Sequence, residues 1–161
     1  MSSSRAETSE RLIDEIGAFL RRNRTSGTLV AQSCGLQPTQ VQILFALRRI
    51  GECRVATLAE TQIVDPSVAS RQVASLEKLG LVDRRTDPED GRAALVSLTE
   101  TGHAKLREVR RRHADVITTA LQDWPVERIT RFAEDLGEFV AASSPFYDEL
   151  AGPRAGGMEV V

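Results

Sequence analysis

Aromatic residues and long apolar runs are both scarce in this chain of 161 residues. One tryptophan, one tyrosine and five phenylalanines make up 4% of it. Leu, Val, Ile and Ala must therefore supply most of the apolar surface that folding buries. No apolar run approaches the ~20 residues that a membrane span requires. The opening Met1-Ser2-Ser3-Ser4-Arg5 has no signal-peptide apolar region. These absences point to a cytoplasmic protein with no membrane partner. Metal and catalytic chemistry find few residues either. Cys34 and Cys53 lack metal-ligand spacing, and His103 and His113 have no cysteine or second histidine at ligand spacing. There is no nucleophile–base pattern, no Gly-rich phosphate loop and no metal cluster. The chain reads as a non-enzyme without metal or cofactor.

What is present is 41% hydrophobic and 27% charged residues, enough for one globular domain, with or without an oligomerisation part. The apolar spacing predicts six helices. Residues 8 to about 33 carry Leu12, Ile16, Phe19 and Leu20 at helical intervals, with a kink expected at Thr25-Ser26-Gly27 and a stop at Gly35. Pro38 starts a second helix with Val41, Leu44, Phe45 and Leu47 as its stripe, and Gly51 ends it. Residues 55 to about 62 form a short third, with Leu58 and Ala59 inward. Asp65 as N-cap and Pro66 as first residue start a fourth, which runs to Leu79 and stops at Gly80. Only a few residues separate these two, a helix-turn-helix spacing.

After Gly80 the period changes to two. Val82, Arg84 and Thr86 alternate with Asp83 and Arg85, and Ala94, Val96 and Leu98 with Ala93, Leu95 and Ser97. Asp87-Pro88-Glu89-Asp90-Gly91 between them has turn composition, so this is a hairpin with a long tip. Thr99 caps a fifth helix, 100 to about 122, and Pro125 starts a sixth with Ile129, Phe132, Leu136, Phe139 and Val140 as its stripe. The expected fold is mainly α with a small β-hairpin (α+β): a winged helix-turn-helix at 36–99, a helical dimerisation part at 8–35 and 100–142, and flexible termini at 1–7 and 143–161.

A helix of about 100° per residue places Ala69, Val73, Leu76 and Gly80 of the fourth helix on one face, which must pack inward. Ser67, Ser70, Arg71, Ala74 and Lys78 fall opposite, with Val68 and Ser75 on the flank. Small side chains let a helix enter the major groove closely, Arg71 can grip a guanine edge, and Val68 can touch a thymine methyl. Arg92 follows a glycine at the hairpin tip, with Asp90 placed to orient its guanidinium. An arginine so presented suits the narrow minor groove of an A·T-rich segment. Arg84 and Arg85 point to opposite faces, and one of them is expected to reach phosphate. The candidate DNA contacts are Ser67, Val68, Ser70, Arg71, Gln72, Ser75, Lys78, Arg84, Arg85, Asp90 and Arg92. The net charge of −2 and the nearby Asp83, Asp87, Glu89 and Asp90 make such binding depend on where the cations sit, Arg54 among them, rather than on the charge sum.

These features resemble the MarR (multiple antibiotic resistance regulator) family of winged helix-turn-helix transcription factors. The resemblance rests on Gly35-Leu36-Gln37-Pro38-Thr39-Gln40, Leu58-Ala59-Glu60, Pro66-Ser67-Val68-Ala69-Ser70-Arg71, Leu76-Glu77-Lys78-Leu79-Gly80-Leu81-Val82, Arg84-Arg85, Asp87-Pro88-Glu89-Asp90-Gly91-Arg92 and Leu98-Thr99-Glu100-Thr101-Gly102. It covers about residues 10 to 142. It implies a homodimer built on the first, fifth and sixth helices, reading a palindromic double-stranded operator with half-sites roughly 34–36 Å apart. It also implies a small-molecule effector held between the dimerisation helices and the winged domain. Ser67, Ser70 and Arg71 match recognition-helix positions, and Arg92 matches the minor-groove arginine. The chain departs from the pattern at Ile63, where glycine is common between the helices, and at Gln72, where an apolar residue is common. Redox-sensing members carry a reactive cysteine in the first helix, whereas Cys34 lies at that helix's far end.

A ligand-responsive repressor is the leading reading. Two alternatives stay open: a thiol-based redox regulator through Cys34 or Cys53, for which Arg54 beside Cys53 is a hint of thiolate stabilisation, and a winged-helix module that binds only protein. The arginine run Arg107, Arg110, Arg111, Arg112 with His113 reads as a solvated helix face pairing with acids such as Glu108 and Asp115, phosphate contact being the other option.

Overall fold

The structure, a computed structural model, describes residues 4–62 and 65–151. Expectations for the turn at Ile63, and for Gly152, Pro153, Gly156 and Gly157, lie outside these residues. The chain divides into two compact units at Val116 and Ile117.

The first unit opens with α1 (Arg5–Ser33). It starts three residues earlier than the apolar spacing predicts. Ser4 caps it: the Glu7 N–H donates to the Ser4 hydroxyl at 3.2 Å, and the Ser4 N–H donates to the Glu7 carboxylate at 2.8 Å. This reciprocal box satisfies donors that a helix start leaves orphaned. α1 runs through Thr25-Ser26-Gly27 as one continuous helix. A single interior glycine costs only about 1 kcal/mol relative to alanine, which a helix this long absorbs. α2 (Pro38–Ile50) and α3 (Val55–Gln62) follow, then α4 (Pro66–Lys78).

The hairpin forms as expected, from β2 (Val82–Thr86) and β3 (Ala94–Leu98), with Val82 opposite Leu98 and Arg84 opposite Val96. A third strand joins it. β1 (Cys53–Arg54) pairs with β3, Cys53 facing Val96, and the sheet order is β1-β3-β2. Two residues are too few to show an alternating pattern, so this strand is invisible without its partner.

The core of this unit is aliphatic. Leu44, Leu58, Val73, Leu76, Val82, Val96, Leu106 and Val109 are fully enclosed, drawn from α2, α3, α4, the sheet and α5 (Glu100–Ala120). Gly80, expected on the inward face of α4, is instead exposed beyond its end with φ 68°. Its N–H donates to the Glu77 carbonyl (2.9 Å) and that of Leu81 to Leu76 (3.0 Å), the pairing that closes a helix through a left-handed residue.

The joint between α4 and α5 is tight. Thr99 donates its hydroxyl to the Gly80 carbonyl at 2.7 Å and accepts the Gly102 N–H at 2.9 Å, capping α5. A Cβ on Gly102 would lie 2.1 Å from the Leu81 carbonyl oxygen, so only glycine fits there.

The second unit holds the end of α5 and α6 (Val126–Ala151). Trp124 stacks edge-on against Phe132, ring centres 6.0 Å apart, and the Arg128 guanidinium lies 3.7 Å from the Trp124 ring centre. α6 continues past residue 142, where the sequence places a tail, and carries Pro145 within it. The hydroxyls of Ser143 and Ser144 both donate to the Val140 carbonyl, at 3.2 and 2.8 Å.

Candidate nucleic-acid interface

α4 is set by its two ends. The Asp65 carboxylate accepts the Ser67 N–H at 2.7 Å. Hydrogen bonds from Ser67, hydroxyl first and then backbone, hold that carboxyl below the usual aspartate value. Ala69, Val73 and Leu76 are wholly buried, as the helical spacing requires. Ser67, Arg71 and Lys78 are exposed, and Val68, Ser70 and Ala74 are half-buried beside them. This strip is narrow and low near the helix start. Arg71 stands over it, its Nε reaching the Ser67 carbonyl at 3.4 Å, with no ion pair among the described residues.

Gln72 and Ser75 are placed differently from the rest. The Gln40 side-chain amide donates to the Ser75 hydroxyl at 3.0 Å, while its oxygen accepts the Gln37 N–H at 2.8 Å. Gln72 reaches the Gln37 side-chain oxygen at 3.4 Å. Gln40 is 5% exposed. A buried amide requires partners, so Ser75 fastens α4 to the start of α2. Gln40 is not among the contacts expected from the sequence, where it enters only through the family resemblance. A polar residue on the side of α2 that also carries Ile43, Leu44 and Leu47 was the available signal.

The hairpin tip is built around Asp87, 5% exposed. Its carboxylate accepts the Glu89 N–H at 2.9 Å and the Arg54 Nε at 2.6 Å. The Glu89 N–H, opposed by burial and reinforced by Arg54, holds this carboxyl below its ordinary value. Arg54 is therefore a strut rather than a free cation. Asp90 also acts on backbone: it accepts the Arg92 N–H at 3.1 Å. The expectation that it orients the Arg92 guanidinium is corrected, because an aspartate bonds most readily to the N–H two residues on. The exposed Arg92 side chain has no hydrogen bond or ion pair among the described residues.

Of the two strand arginines, Arg85 is paired with Glu52, which lowers the Glu52 pKa. Arg84 has only a long contact to Glu77, 3.9 Å. On α5, Glu108 pairs with Lys105 at 2.8 Å, with the Arg112 charge of the arginine run adding to its stabilisation, and Arg107 takes Glu100 at 3.2 Å.

Both cysteines are buried. Burial, then the nearby Glu52, pushes the Cys53 thiol above its usual value, which disfavours the reactive thiolate that Arg54 was expected to promote. Among the described residues no group of His, Cys, Asp and Glu can hold a metal ion, and no helix is long and apolar enough to cross a membrane.

The geometry matches known proteins. The model of the MarR family matches residues 35–93, from the end of α1 to the wing. The chain is 30% identical over 120 residues to the HTH-type transcriptional regulator YxaD of Bacillus subtilis, covering 74% of this chain and 84% of that one. It is 34% identical to the HTH-type transcriptional repressor NicR of Pseudomonas putida, over 58% of this chain and 61% of that protein. A MarR family protein from Bacillus stearothermophilus superposes with TM-score 0.74 at 21% identity, over 88% of this chain and 99% of its own. Sequence relatives, family model and fold agree with the helix, wing and capping pattern described above: this chain belongs to the MarR family of winged helix-turn-helix transcriptional regulators.

Proposed function

We propose that the protein is a repressor that binds a palindromic operator as a homodimer and releases it in response to a small ligand. The observation that carries this reading is the pairing of a low helix surface with two exposed arginines that have no ion pair among the described residues. Arg71 rises from the strip of Ser67, Ser70 and Ala74, and Arg92 stands unpaired on a braced wing tip. Arg71 reads guanine in the major groove and Arg92 enters the minor groove. Val68 lies against a thymine methyl, and Lys78 and Arg84 meet phosphate. Gln72 and Ser75 position the helix, as Arg85 and Asp90 position the wing.

Residues 36–99 form the DNA-reading part, and 8–35 with 100–142 the dimerisation part. Support for a dimer comes from apolar side chains left exposed on α1 (Leu12, Ile13, Phe19, Leu20) and on α6 (Phe132, Leu136, Val140). Clusters of this kind mark association surfaces. Repression is supported by NicR, a repressor among the relatives. An effector is supported by an open groove of about 840 Å³ between α1 and α5, lined by Leu29, Val30 and Val116 with Arg21, Arg22 and Arg112; it lies within the dimerisation part, not against the winged domain where the resemblance places the ligand. That size suits a drug-sized ligand. The ligand acts only through its different affinities for the two spacings of the recognition helices.

The test starts from operator DNA selected out of a random pool. Gel shift or anisotropy should give a palindromic site, and Arg71→Ala and Arg92→Ala should each weaken binding about tenfold or more. Undiminished binding by both variants would sink the proposal.

A further inference from the structure

The effector cavity leaves a second concave feature unexplained. Arg48 near the end of α2 and His103, Arg107 and Arg110 on α5 line a cleft of about 440 Å³ whose floor is Leu106. Residues 103, 107 and 110 recur at intervals of four and three, so they share one face of α5. No carboxylate lines the cleft. Arg107 has Glu100 at 3.2 Å, while Arg48 and Arg110 have no ion pair among the described residues. Three arginines gathered with a single carboxylate repel one another, and an oxyanion would offset that cost. Arginine forks match the paired oxygens of phosphate groups, and His103 adds a ring N–H.

We propose that this cleft binds a compact oligophosphate, a small ligand carrying two or more phosphate groups, and that binding lowers operator affinity. The inference rests on the DNA-binding regulator proposed above and adds a second, chemically distinct ligand site. The guanidiniums and the modest volume favour a small, highly charged ligand over an apolar aromatic one. The cleft also lies away from the reading strip. Arg48 is eight residues along α2 from Gln40, about 12 Å at 1.5 Å per residue, and Gln40 hydrogen-bonds Ser75 of α4. Two effects link the site to DNA. Bound phosphate cancels positive charge that attracts the operator. It also ties α2 to α5 a turn beyond Thr99 and Gly102, which clamp the end of α4.

Inorganic pyrophosphate is the probe. Calorimetry on the full-length, DNA-free protein should show saturable binding, weakened about tenfold or more by Arg48→Gln and by Arg110→Gln. Matched melting temperatures would show that both variants fold. At constant ionic strength, pyrophosphate should reduce operator binding by wild type and not by the Arg48→Gln/Arg110→Gln double variant. Absent binding, equal binding by the variants, or a persisting pyrophosphate response in the double variant would overturn the proposal. So would a tenfold loss of operator affinity in the variants with no pyrophosphate bound by wild type, which would assign the cleft to the DNA backbone. Arg92→Ala serves as the separate control. It should lose operator binding and keep pyrophosphate, so failure of the regulator reading and failure of the cleft give different results.

Discussion

Arg54 and Asp87 are joined across the sheet: the guanidinium of the two-residue strand β1 bonds the carboxylate just after β2, with β3 between the two strands. The wing tip is thus braced to the helix-turn-helix body rather than hanging from its own hairpin. Arg54→Ala should weaken operator binding by less than Arg92→Ala. Combined with Arg92→Ala it should add almost nothing, because Arg54 acts through the position of Arg92. Arg54→Lys should restore part of the loss. Anisotropy on wild type and the four variants measures this, and additive losses would show that Arg54 contacts DNA itself.

The same brace carries a pH dependence. The folded-state pKa of Asp87 is depressed, so its contribution is complete above the ordinary aspartate value of about 3.9. It is lost as pH falls through the lower folded-state value. Wild type should therefore lose more stability than Asp87→Asn as the pH drops below about 4. Thermal melts at stepped pH read the difference, and parallel curves for the two proteins would contradict it.

Gly102 has backbone against the place where a side chain would begin. Gly102→Ala must push α5 away from Leu81, an overpacking that costs about 1–3 kcal/mol or more. A lowered melting temperature is expected. An unchanged one would mean the α4–α5 joint is loose.

Ser75 separates the two roles open to a half-buried serine on a DNA-facing helix. Ser75→Ala leaves the buried Gln40 amide short of a partner, a loss of about 1–3 kcal/mol. Operator affinity of the folded protein should stay within about threefold. A large affinity loss with unchanged stability would return Ser75 to the DNA contacts.

Lys78 is exposed at the last turn of α4 and should meet only phosphate. Lys78→Ala should weaken binding alike for all sequences and lower the salt slope by about 1. A change in base preference would show direct readout instead.

Dimerisation is tested on α6. Phe132→Asp with Leu136→Asp places charge on its exposed apolar face. Sedimentation should show a monomer, and affinity for the full palindrome should fall about a hundredfold or more as the two half-sites act separately. A dimer persisting in the double variant would place the interface elsewhere.

Much of this protein follows from short-range chemistry. Asp65-Pro66 starts α4 because a capping carboxylate and a preset φ act within one turn. The buried trio Ala69, Val73 and Leu76 follows from the helical period alone, and Asp87-Pro88-Glu89-Asp90-Gly91 turns because its residues favour turns on their own. These causes are local, so they were legible residue by residue, and with them the order of helices, the hairpin and the family. Tertiary structure decided which polar groups are free. Ser75 and Arg85 are expected DNA contacts in sequence, and the fold gives each a partner more than thirty residues away in the chain, Gln40 and Glu52. β1 exists only because β3 lies beside it. The grouping of Arg48 with His103, Arg107 and Arg110 appears only once α2 packs on α5. A hydrogen bond or a shared cleft depends on distance in space, and folding alone brings such distant residues within reach.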